Sequence, residues 1–96
     1  MTATDPTHAV RHDAAARRFA VTVDGADAFI DYERRDEQMV ITHTRVPDAI
    51  GGRGIAGQLT RAAFDHARTA GLTVRPQCSY AAAWAERHPD VSDLLA

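Results

Sequence analysis

The sequence predicts an α/β domain of the α+β kind, a mixed sheet in the order β-β-β-α-β-α. Three observations carry this. Apolar residues alternate with polar ones through residues 18–44. A glycine-rich turn follows at 51–54. Beyond it the apolar spacing lengthens to that of a helix. With 96 residues there is room for one core, and 45% apolar with 25% charged residues is the mix of an ordinary globular chain.

The first strand is read from Phe19, Val21 and Val23, which alternate with Arg18, Ala20 and Thr22. Asp24-Gly25 supplies a hairpin turn. Ala28, Ile30 and Tyr32 give the second strand, and the charged run Glu33–Glu37 reads as a solvated turn. Met39, Ile41 and His43 alternate with Val40, Thr42 and Thr44 in a third strand, stopped by Pro47. Three short strands in succession make an antiparallel meander.

Ile55, Ala56, Leu59, Ala62, Ala63, Ala67 and Ala70 then recur on one helical face, with Gln58, Arg61, Asp65 and Arg68 opposite. Phe64 falls on the polar side, which implies a second contact surface. His66 lies on the apolar arc and reads as packing. Gly71 is a natural helix stop. Leu72–Arg75 is a short strand closed by Pro76, and a strand, helix and strand in sequence imply a parallel pair. Ser79 is expected to cap a second helix running from Tyr80 to His88, ended by Pro89. A last helical turn is placed after it.

Residues 1–15 read as a flexible tail. His8 and His12 are spaced for two metal ligands on one helix face, but nothing nearby completes a site, and no metal is expected. The net charge is -2 and no lysine is present, so a domain living on phosphate-backbone contacts is not indicated. No apolar run is long enough to span a bilayer, and the first residues lack the apolar stretch of a secretory signal. A single cysteine, Cys78, permits no internal disulfide; a cytoplasmic location is the expectation.

The segment Val46-Pro47-Asp48-Ala49-Ile50-Gly51-Gly52-Arg53-Gly54-Ile55-Ala56-Gly57 joins a strand to a helix. Glycines let backbone approach a ligand closely, and the helix start offers unsatisfied N–H groups. Together they suit a phosphate or pyrophosphate, with Arg53 able to add a charge-assisted contact. Loop chemistry alone leaves a tight turn with no ligand equally open. No P-loop lysine and no dinucleotide fingerprint are present.

These residues resemble motif A of the GNAT superfamily of N-acetyltransferases, mapped here as Gly51-x-x-Gly54-x-Ala56. ITHTRVPDAIGGRGIAGQL followed by GLTVRPQCSYAAAWAERHPD is similar to the small, single-domain YjdJ-type branch. The resemblance covers residues 16–95 and implies a compact fold over 16–96 that lacks the helix pair and the last two strands of full-length members. It implies acetyl-coenzyme A as cosubstrate and an unidentified amine acceptor, free or on a protein. Thr44, Val46, Gly51, Gly52, Arg53, Gly54, Ile55, Ala56 and Gly57 would then bind the cosubstrate. The chain is expected to be a monomer or homodimer.

Two positions depart from the family pattern. Gly51 stands where Arg or Gln is usual, and Ala85 stands where the second helix commonly carries a tyrosine that protonates the departing thiolate. Tyr80 is the nearby substitute. Cys78, just before the second helix, is placed where a nucleophilic thiolate is favoured, and the resemblance puts it near the thioester. A small buried hydrophobe is the alternative. His43 is placed to act as general base toward an amine or Cys78, or to sit at the edge of the core. A coenzyme A-binding module or sensor without turnover is the competing function.

Overall fold

The computed structural model describes residues 9–96. His8 lies outside the described residues. Five strands form one sheet in chain order: β1 (Arg11–Asp13), β2 (Arg18–Val23), β3 (Ala26–Arg35), β4 (Gln38–Arg45) and β5 (Thr73–Pro76). The first four run antiparallel. β4 and β5 are parallel, joined through helix α1 (Ile55–Ala70). Helix α2 (Ser79–Glu86) and a 3-10 segment (Pro89–Leu94) complete the chain.

The alternation seen in the sequence becomes the core. Phe19, Val21, Ala28, Ile30, Met39, Ile41 and Val74 of the sheet are buried with Ile55, Leu59, Ala63 and Ala67 of α1 and Ala81 and Trp84 of α2. Both helices feed this one core. Phe64 has the second contact surface expected of it: it is fully buried, its ring 5.4 Å from that of Trp84. α2 covers the second side of α1, which a single-helix wheel cannot show.

The two-residue hairpin at Asp24-Gly25 has positive φ at both positions (51° and 78°), the mirror-image turn whose twist matches its strands. Gly25→Val is expected to cost about 1–2 kcal/mol, because a β-branched residue resists that φ. A thermal melt should show a drop of about 4–8 °C per kcal/mol in a domain of this size.

Three expectations are corrected. Arg11–Asp13, placed in a flexible tail, pair with β2 as an edge strand. His12 explains it: its ring stacks on Phe19 at 4.1 Å and its Nε2 lies 2.6 Å from the Tyr32 hydroxyl. Glu33–Arg35 belong to β3, and only Asp36-Glu37 turn the chain. Ser79 does not cap α2; Cys78 does, its Sγ accepting from the Ala81 N–H at 3.4 Å.

Candidate functional site

The strand-to-helix loop is pinned at both ends by buried isoleucines, Ile50 and Ile55. Between them Gly52 and Gly54 both take φ near +76°, which bends the chain into an arc. Gly54 is the N-cap of α1, and the first turn of this helix holds no acid. Among the described residues, no side chain caps the positive end of this 16-residue helix. Val46, Gly51, Gly52, Gly54, Ile55, Ala56 and Gly57 line a recess of about 260 Å³ there. All were expected to line such a site; Tyr80 of α2, expected as the substitute for the family's tyrosine, joins them.

Arg53 is not among the lining residues. Its guanidinium bonds Asp24 of the hairpin at 2.7 Å, which ties the loop to the β2–β3 turn. Gly57 is where the helices come close: a Cβ there would lie 3.5 Å from Trp84 Nε1 and 3.7 Å from the Tyr80 hydroxyl.

Beside the recess the sheet parts. The β4–β5 ladder ends at Ile41↔Pro76, whereas β4 stays paired with β3 as far as Arg45↔Phe29. Ile41 O accepts from both Gln77 N and Cys78 N, and there β5 turns into α2. Beyond Ile41, one edge of β4 thus has no strand against it among the described residues.

At the head of this gap the Thr44 hydroxyl lies 3.3 Å from Cys78 Sγ. Cys78 is half-buried and unbridged. Burial holds the Tyr80 phenol above its ordinary value; Arg87 opposes the rise and Cys78 adds to it.

His43 does not share the face of Met39 and Ile41. Tyr32 pairs with Ile41 but Asp31 with His43, so β4 carries one extra residue, Thr42. This bulge reverses the alternation. His43 is exposed on the outer face with Asp31, its ring 6.1 Å from Phe29, while Thr44 meets Cys78. A histidine–cysteine pair is not formed. Ala85 is buried in the core and presents nothing to the gap. Among the described residues no group of three or more His, Cys, Asp or Glu could hold a metal, and no helix is long and apolar enough to cross a membrane.

Comparison with known proteins decides the family. The model of the GCN5-related N-acetyl-transferase family matches residues 18–94. The chain belongs to this family. Protein NATD1 of Xenopus tropicalis is 36% identical over 90 residues, covering 88% of this chain and 83% of that protein. Protein NATD1 of Homo sapiens is 36% identical over 83 residues, covering 83% and 74%. The NMR structure of a GCN5-like protein from Staphylococcus aureus superposes with a TM-score of 0.74 at 28% identity, covering 94% of this chain and 89% of that one. The GCN5-related fold is thus present with its mixed sheet, and the chain is an N-acetyltransferase by family.

Proposed function

We propose that the chain transfers an acetyl group from acetyl-coenzyme A to an amine. The observation that carries the reading is the parting of β4 from β5 beside the glycine arc. The arc and the first turn of α1, which holds no acid, offer N–H groups to a pyrophosphate. The strand edge of β4 beyond Ile41 offers backbone to the pantetheine amides, as to an added strand. Thr44 and Cys78 stand where the thioester would lie, at the head of the gap.

The neutral amine attacks the thioester carbonyl directly, and β4 backbone N–H groups steady the developing oxyanion. Tyr80, a phenol whose pKa its partial burial raises, gives a proton to the departing sulfur and regains one, through solvent, from the nitrogen that has attacked. Cys78 lines the pocket and caps α2. Tyr80→Phe is therefore expected to lower kcat by about 10²-fold with KM little changed. Cys78→Ser, which keeps a capping oxygen, is expected to retain transfer. A collapse in Cys78→Ser, with acetylated Cys78 trapped in the native protein, would replace direct attack by a covalent route.

A second reading, a coenzyme A-binding module without turnover, is favoured by Ala85, which leaves the second helix without the family's usual tyrosine. Calorimetry with acetyl-coenzyme A followed by free-thiol detection across a panel of amines separates the two. Binding with thiol release supports the transferase. Binding with none across the panel supports the module, and absence of binding removes both.

A further inference from the structure

A second recess, about 470 Å³, lies toward the other end of α1. It is lined by His12 of β1, Arg17 of the following turn, Tyr32 and Arg34 of β3, and His66 of α1. None of these lines the glycine recess. His66 is eleven residues beyond Ile55, about 16 Å along a helix.

The recess gathers donors around two guanidinium groups that no carboxylate bonds among the described residues, and Asp13 supplies a negative charge beside it. Arg18, Arg35, Arg53, Arg61 and Arg68 each meet a carboxylate within 2.9 Å. Among the described residues neither Arg17 nor Arg34 does. Arg34 Nε bonds only the Asp36 carbonyl, at 3.3 Å. Asp13, the acid next to His12, has Oδ1 occupied by the Ala16 N–H at 3.1 Å. Burial raises the Tyr32 phenol and Asp13 adds to the rise, while the Arg17 and Arg34 guanidinium groups both pull against it. The His12 and His66 rings meet edge to face at 4.3 Å, and Tyr32 Oη lies 2.6 Å from His12 Nε2. Two guanidinium groups acting on one phenol also repel each other, a cost that a bound anion relieves.

We infer that this recess binds a phosphate group, with Arg17 and Arg34 holding its charge and His12, Tyr32 and His66 closing around its remaining oxygens. Two guanidinium groups on separate elements suit an anion with several acceptor oxygens. The site is independent of the transferase reading, since it shares no residue with the glycine recess.

The test is an NMR titration of the whole chain with inorganic phosphate at pH 7.5, against sodium chloride at matched ionic strength. Ring signals of His12 and His66 are expected to shift saturably in phosphate and not in chloride. Arg34→Gln and Arg17→Gln are each expected to weaken that titration fivefold or more. Backbone amides of residues 52–57 are followed separately, so phosphate at the glycine loop cannot be mistaken for it. A parallel titration with O-phosphoserine tells a phosphate monoester from free phosphate by which binds tighter. Equal histidine shifts in chloride and phosphate, or arginine variants that titrate like the native chain, would overturn the assignment.

Discussion

Gly57→Asp is expected to raise the thermal midpoint slightly and to abolish measurable acetyl-coenzyme A binding. Gly57 is the third residue of α1 and lines the glycine recess. A Cβ there meets Trp84 and Tyr80 at ordinary contact distance, so the fold accommodates it. A carboxylate in the first turn of a helix stabilises it by about 0.3–1 kcal/mol. Removing a glycine from the helix works in the same direction. The same carboxylate faces the place proposed for the pyrophosphate, and juxtaposed like charges cost several kcal/mol. At 1.4 kcal/mol per decade, affinity should fall on the order of 100-fold or more. Calorimetry and a thermal melt on the same variant separate the two effects. Unchanged affinity would place the pyrophosphate elsewhere, and a lower midpoint would reduce the loss to unfolding.

Phe64→Ala is expected to remove most of the stability of the domain. The side chain is fully buried where α1 meets α2, against Trp84. Truncating such a phenylalanine costs about 3–5 kcal/mol, from lost transfer energy and the cavity left behind. Small domains hold only about 5–15 kcal/mol in all. Urea denaturation should therefore show the variant largely unfolded or its midpoint sharply lowered. A loss below about 1 kcal/mol would mean that Phe64 lies at the surface after all.

Local features of the sequence carried much of this fold. The period-two runs, the Asp24-Gly25 turn, the 55–70 helix with its Gly71 stop and the parallel return to Thr73–Pro76 all follow from neighbours within a few residues. The glycine arc was legible for the same reason. What stayed hidden depends on pairs distant in sequence. The bulge at Thr42 is a mismatch in residue count between β3 and β4, so neither strand shows it alone, and it moved His43 off the face it was expected to share. β1 is only three residues long and is secured by His12 on Phe19, Tyr32 and His66, contacts that no local pattern records. Arg53 reads from the sequence as a phosphate ligand, and its bond to Asp24, far behind it in the chain, is a contact that no local pattern records. Tyr80 had a usable signal: it stands four residues before Trp84, so the two share a face of α2 and meet Gly57 together.

The most direct measurement is a crystal structure grown with acetyl-coenzyme A. The diphosphate should lie within hydrogen-bond distance of backbone N–H groups between Gly52 and Gly57, with the pantetheine arm along β4 past Ile41 and the thioester beside Thr44 and Cys78. Cosubstrate density on another surface, with the glycine arc empty and β4 untouched beyond Ile41, would contradict the assignment.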